Sequence, residues 1–283
     1  MIRLGALGAG LLFVIALLWG AVQPRDVGPP DPVKALHQHA EPIAWTHNGF
    51  GDLGIFGTFD RGQLQRGFQV YKEVCSACHS IHRVAFRDLA ALGFSAPEIK
   101  AIAKGYEVPS INDSGEPATR PALASDKFPL IYPNEVAARA AQNGALPPDL
   151  SLITKAREGG ANYVHALLLG YREPPANWTV PDGLNYNPWF KSLNIAMANP
   201  LAADDVVTYA DGTKATREQM SRDIATFLTW TAEPKLENRK ATGVAAVIFL
   251  LILTGLAYLS YKRVWADVKS GGTAKRGPTA AVE

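Results

Sequence analysis

"EVCSACHSIH", residues 73–82, contains both cysteines of a 283-residue chain. Cys75-Ser76-Ala77-Cys78-His79 admits three chemistries: a redox dithiol, half of a zinc site, or covalent attachment of haem. A zinc site needs two more Cys or His ligands at an order-giving spacing. The other histidines, His37, His39, His47, His82 and His165, supply no second paired motif. A thioredoxin-like dithiol belongs beside a βαβ pattern, which is missing, and it leaves His79 without a role. A Cys75–Cys78 disulfide would close too short a loop to stabilise much. Covalent haem uses every part: both thiols add to the vinyl groups as thioethers, and His79 turns its imidazole to the iron. The motif therefore predicts one haem c, and a fold organised around it.

The flanking segments fit such a fold. "RGQLQRGFQVYKEV" (61–74) predicts a helix that carries the cysteines at its C-terminal end. Residues 84–104 predict a second helical stretch, divided near Pro97, and 105–134 read as proline-rich loop. Residues 135–171 alternate helical stretches with Gly and Pro breaks, and 172–214 are irregular. The one strand pattern is "DVVTYADGT", a short hairpin around Asp211-Gly212. "TREQMSRDIATFLTW" opens with Thr216 and Gln219 at capping-box spacing. Its apolar positions Met220, Ile224, Phe227 and Leu228 fall at helical spacing, and Pro234 closes it. The fold class is mainly α: a haem head with long loops, the sort of loops that a cofactor in the core would fill.

Two apolar segments flank this head. Ala241 to Tyr261 is free of charge, and as a helix it is about 31 Å long, matching a hydrocarbon core. Arg239 and Lys240 precede it, and Lys262 and Arg263 follow it. Tyr258, Tyr261 and Trp265 suit an interfacial aromatic belt. Residues 241–261 therefore read as a transmembrane anchor and 262–283 as a basic cytoplasmic tail. The head then lies on the opposite face, the periplasm of a bacterium, where haem is attached to protein. Arg3 followed by "LGALGAGLLFVIALLWG" resembles a secretory signal. Cleavage after Ala21 would put Trp19 at −3, so residues 1–21 read as a signal peptide or an uncleaved membrane segment. Residues 22–42 hold five prolines and read as an extended arm.

Charge narrows the partners. The chain is 47% hydrophobic and 19% charged, enough apolar material for a core. Residues 22–240 carry 22 basic against 24 acidic side chains, while 262–283 carry 5 against 2. The basicity lies beside a membrane segment, where it sets orientation, and no basic face remains on the head for a nucleic acid.

An electron-carrying haem needs a second axial ligand, and the chain offers three methionines. Met1 is the initiator, and Met220 sits on the apolar stripe of a capped helix, where it reads as core. Met197, in "NIAMANPL", lies in an irregular stretch able to bring a thioether to iron. His/Met ligation raises the haem potential, and burial adds to this because the ferric form carries the extra charge.

Taken together, "RGFQVYKEVCSACHS", "YPNEVAARAAQNGALPPDLS", "AREGGANYV", "YNPWF", "IAMANPL" and the "DGTKAT…FLTWTAEP" block resemble, in this order, the cytochrome c1 family. The likeness covers about residues 43–265. It implies a class I c-type cytochrome-like haem domain over 43–236, with Cys75 and Cys78 bound to haem and His79 and Met197 as axial ligands. It implies haem-pocket roles for Asn143, Pro147, Pro148, Arg157 and Tyr163, with Arg157 facing a propionate in paired hydrogen bonds. Without the resemblance, Arg157 reads as a solvated charge and Tyr163 equally as core.

The resemblance also implies a place in a cytochrome bc1 complex of the bacterial inner membrane, with cytochrome b and Rieske iron–sulfur subunits as partners. The electron would come from the Rieske protein and leave to a c-type cytochrome. The chain would not be an enzyme by itself, and none of its residues would be catalytic. Two other readings remain at this stage: a peroxidase-like anchored haem enzyme, and a free-standing anchored cytochrome. The sequence departs from the family in two places. Asn199 stands where "MAPP" has a proline, and no cysteines remain for the disulfide that buttresses this loop in some bacterial relatives.

Overall fold

The computed structural model describes residues 2–23, 31–45 and 56–269. Residues 24–30 of the arm and 270–283 of the basic tail lie outside the described residues.

Helix α1 spans Ile2–Val22, and its apolar side chains from Leu7 to Trp19 are exposed. Within the arm, Pro32–Leu36 forms a short helix, α2, because the Asp31 side chain accepts from Val33 N at 2.9 Å and Pro32 starts the turn with its φ preset. The arm is thus not extended throughout.

Helix α3, Arg61–Glu73, begins at Asp60, whose carboxylate accepts from the Gly62 and Gln63 amides. Its buried stripe is Leu64, Gly67, Phe68, Val70 and Tyr71. A short 3₁₀ turn, 75–77, follows directly and holds the cysteines. Residues 84–104 do divide, into a 3₁₀ helix over 86–92 and α4 over Ala96–Lys104, with Pro97 in the first turn and Ser95 and Glu98 forming the cap.

Residues 105–134 differ from the sequence expectation. They contain an antiparallel hairpin, β1 (Glu107–Ile111) with β2 (Pro117–Pro121), in the register Pro109 opposite Thr119. Its prolines are tolerated because the pair stands alone and each strand is an edge. By contrast, the expected hairpin at 205–213 is not a strand pair. The Asp211 carboxylate is occupied by Arg66 and by the Thr213 amide, which fixes a turn there instead.

Three helices follow: α5 (Glu135–Ala141), α6 (Ile153–Ala156) and α7 (Gly160–Leu169). A two-residue pair, β3 (Asn185–Tyr186) with β4 (Asn194–Ile195), interrupts the irregular stretch after them. Helix α8, Arg217–Ala232, starts where the Thr216 hydroxyl accepts from Gln219 N at 3.1 Å. The box is half made, because the Gln219 amide donates to Asp223 rather than back to the cap.

The core forms where α3 crosses α8. A Cβ at Gly67 would lie 2.2 Å from the Asp223 carbonyl, so only glycine lets the two backbones approach this closely. Around the crossing Phe68, Tyr71, Phe86, Phe128, Phe227 and Trp230 bury an aromatic cluster, with Phe86 and Phe128 centroids 4.2 Å apart. Burial of each such ring removes its apolar surface from water, worth about 1.5–3 kcal/mol per large side chain. Arg66 pins the crossing, with Nε 3.0 Å from Asp223 and Nη1 2.8 Å from Asp211. Met220 is fully buried in this core, as its place on the α8 stripe implies.

After Pro234 the chain continues into α9, Leu236–Val264, which starts on the buried Leu236 and then exposes its large apolar side chains from Val247 to Val264. It contains all of the predicted 241–261 segment and is long and apolar enough to cross a membrane, as is Gly5–Val22 of α1. The Phe59 amide and the Arg61 guanidinium both bind Glu237 in the first turn of α9, tying the start of α3 to the start of α9.

Candidate haem site

The 75–79 turn owes its shape to α3. The 3₁₀ geometry is closed by Cys78 N and His79 N, which both donate to Cys75 O, at 3.2 and 2.9 Å. The buried Tyr71 hydroxyl, two helical turns earlier, donates to His79 O at 3.0 Å. Both cysteines are free thiols and half-buried. Burial, with Cys78 close by, pushes the Cys75 thiol up to about 12.

His79 Nδ1 lies 2.8 Å from the Pro148 carbonyl. A carbonyl can only accept, so Nδ1 carries the proton and Nε2 is left with its lone pair directed away. Burial lowers the imidazole pKa despite the pull of Pro148 and Asp149, which keeps the ring neutral near pH 7. A neutral ring with one nitrogen anchored to a carbonyl is how a protein presents histidine to a metal.

Segments 79–83 and 148–151 are laced together. Leu150 N donates to Ser80 O, His82 N to Asp149, and Arg83 N to the Ser151 hydroxyl. Pro147 precedes the carbonyl-bearing Pro148 in this rigid pair. Asn143 stands at the end of α5 with φ 49°, beside Gly144 at φ 82°, a left-handed corner that asparagine accepts more readily than most residues. Its neighbour Gln142 donates to the Tyr132 hydroxyl at 2.7 Å and lies 3.7 Å from Cys78 Sγ.

The remaining predicted residues gather on another side. Arg157 is exposed at the end of α6 and hydrogen-bonds Tyr163 on α7. Burial raises the Tyr163 phenol pKa, against the pull of Arg157. Met197 lies on a bend two residues past β4, half-buried. Its carbonyl accepts from the Tyr171 hydroxyl at 3.1 Å and from Asn185 Nδ2 at 3.3 Å. Cys75, Tyr163 and Met197 all pack, partly buried, against the same hydrophobic core.

The two groups thus share one core although no direct bond joins them. Two thiols, one neutral anchored imidazole and one thioether, each partly buried, are the residue types that a covalent haem would use. Among the described residues no cluster of three or more His, Cys, Asp or Glu is placed to hold a bare metal ion.

Sequence reasoning missed Tyr171, Asn185, Asn187 and Gln142. Tyr171 follows the Gly170 that ends α7, which is a helix-stop signal, but its partner is 26 residues away. Asn187 is fully buried: its side chain donates to Leu167 O and accepts from Trp189 N, fastening the β3–β4 loop to α7. Such a buried amide in a stretch with no periodicity leaves no local trace.

Residues 50–268 match the model of the cytochrome C1 family. The chain belongs to the cytochrome c1 family. It is similar to cytochrome c1, heme protein, of mitochondria from Saccharomyces cerevisiae, 49% identical over 234 residues, 82% of this chain and 74% of that protein. The cytochrome b-c1 complex catalytic subunit of Candida albicans mitochondria is 46% identical over 250 residues, covering 87% and 85% of the two chains. A bacterial relative, cytochrome c1 of Rhodospirillum rubrum, is 40% identical over 286 residues, 95% of this chain and 98% of that one.

Proposed function

We propose that this chain is the haem-bearing electron-transfer subunit of a respiratory bc1 complex. The observation that carries the reading is the His79 Nδ1–Pro148 carbonyl bond beside Cys75 and Cys78, which are not joined as a disulfide, in a member of the cytochrome c1 family.

The bound haem would supply one-electron exchange between ferric and ferrous iron. Everything else falls to the protein. Cys75 and Cys78 hold the haem c covalently. His79, its tautomer set by Pro148, would hold the iron through Nε2, and Met197 would hold it through its thioether. Asn143, Pro147 and Pro148 line one side of the pocket. Arg157 and Tyr163 would hold the propionates, where a guanidinium backed by a phenol neutralises carboxylate charge. The surrounding core, whose α3–α8 crossing we read as class I cytochrome-like, would keep water from the iron and so favour the ferrous state.

The head faces the periplasm, held by the single anchor 241–261 in a bacterial inner membrane. Support comes from the acidic Glu233 before α9 and Glu237 in its first turn, Lys262 and Arg263 at its end, and the basic tail beyond. Cytochrome b and the Rieske protein are its partners within the complex, membrane lipid surrounds the anchor, and a c-type cytochrome takes the electron. Quinol oxidation is the work of the other subunits, so the chain has no catalytic acid, base or nucleophile of its own.

Extraction of the native membrane in mild detergent tests the reading. The chain should co-purify with b-type haem and an iron–sulfur subunit at fixed ratio. Recovery as a lone haem protein, or as a protein without haem, overturns it.

A further inference from the structure

Met197 sits where the backbone has no ladder or helix to hold it, yet a thioether ligand must be presented at a set distance. The fixing comes from its own carbonyl, which accepts two side-chain hydrogen bonds, from Tyr171 at 3.1 Å and Asn185 at 3.3 Å. Asn185 Nδ2 also reaches Ile195 O at 3.4 Å, spanning the bend from strand to ligand. We infer that Tyr171 and Asn185 are positioning residues that set the reach of Met197, doing in this chain what a stiffer loop would do by covalent means. The inference rests on Met197 being the second axial ligand.

Both donors stand on closely packed backbone. Tyr171 follows Gly170, where a Cβ would come 2.4 Å from the Trp189 ring and 2.7 Å from Asn187 Oδ1, so helix end and loop are in tight contact. Asn185 belongs to β3, and Asn187 just after it is bonded to α7 through Leu167 O at 2.8 Å. The Trp178 indole and the buried Leu193, at φ 65°, hold the far strand from the other side. The α7 end and the β3–β4 pair therefore form one platform, and the two side chains project from it to a single oxygen.

A hydrogen bond of this kind is worth about 0.5–1.5 kcal/mol net, and about 1.4 kcal/mol is tenfold in an equilibrium. Losing one donor should therefore raise the population of haem with Met197 detached by up to about tenfold, and losing both by up to about a hundredfold.

Full-length, haem-loaded protein in detergent carries the test, with Tyr171→Phe, Asn185→Ala and the pair combined. Three readouts apply: the midpoint potential, the ferric sulfur-to-iron charge-transfer band, and carbon monoxide binding by the reduced protein. Tyr171→Phe should lower the potential, weaken the band and speed carbon monoxide binding by up to about tenfold, and the double variant should exceed both singles. A merely structural role would shift thermal unfolding and leave all three at parental values, which overturns the inference. Met197→Leu and Met220→Leu separate this failure from failure of the ligand reading. If Met197→Leu abolishes the band while Tyr171→Phe and Asn185→Ala leave it intact, the positioning role alone is wrong. If Met197→Leu leaves the band and Met220→Leu removes it, the ligand assignment is wrong and the inference falls with it.

Discussion

The 75–79 turn is backbone continuous with a packed helix, whereas Met197 sits on a bend held by two side chains from distant segments. On the first side, α3 is fixed against α8 by a glycine crossing, an ion pair and an aromatic cluster, and the turn inherits that rigidity. On the second, rigidity is assembled: Asn187 fastens a loop to α7, and Tyr171 and Asn185 then reach from that platform to one carbonyl. The difference has a consequence for sequence variation. A side chain on a turn continuous with a packed helix tolerates almost any outward-facing substitution, whereas one held by single side-chain bonds depends on a few residues that look unremarkable in the sequence.

The largest break should come on the helical side. Replacing both Cys75 and Cys78 by alanine removes the only thioether-forming thiols in the chain. No haem should stay with the polypeptide on a denaturing gel, while Tyr171→Phe should retain full covalent haem. Haem persisting on the double alanine variant would remove the basis of the comparison.

Next in size is Gly67→Ala. The added methyl would lie 2.2 Å from the Asp223 carbonyl and 2.6 Å from Phe227 Cβ, one of them backbone, so the helices must separate. Overpacking of this kind costs about 1–3 kcal/mol, and it also stretches the Arg66–Asp223 pair, whose carboxylate is fully buried. Denaturant unfolding of the haem-loaded protein should register the loss. Because α3 leads directly into the cysteine turn, the His79 side should respond and the Met197 hairpin should not; equal disturbance of both would show the two halves to be one mechanical unit.

The same contrast explains what was legible beforehand. Helix α8 was readable because its cap and apolar spacing are local signals: Thr216 caps as its position implies, and Met220 is core; α3 was readable as a helix, though its Asp60 cap went unread. The Cys75–His79 turn was readable because its chemistry is written within five residues. The β1–β2 hairpin was hidden because Pro109, Pro117 and Pro121 argue against strands, and only its isolation as two edges makes them acceptable. At 205–213 the alternation suggested a hairpin, but the Arg66–Asp211 pair, 145 residues apart in sequence, decided otherwise. Tyr171 and Asn185 escaped for a related reason. Their function lies in a hydrogen bond to a backbone oxygen, and a backbone oxygen has no residue type to recognise.

The smallest expected effect concerns Asn199, which occupies a place where the family pattern has proline. Its side-chain oxygen accepts from Leu201 N at 3.1 Å, an Asx turn that closes the chain just after Met197. Leu201 is almost wholly buried, so the turn also seats an anchor below the ligand. Proline would restrict the same residue through its ring, whereas asparagine does so by a bond worth about 1 kcal/mol. Asn199→Ala should therefore raise carbon monoxide binding by reduced protein by no more than about fivefold, less than Tyr171→Phe, because it loosens the exit of the bend and not the carbonyl at its apex. A larger effect from Asn199→Ala than from Tyr171→Phe would move the point of control from the Met197 carbonyl to the turn behind it. The methionine side would then depend on local sequence, much as the histidine side does.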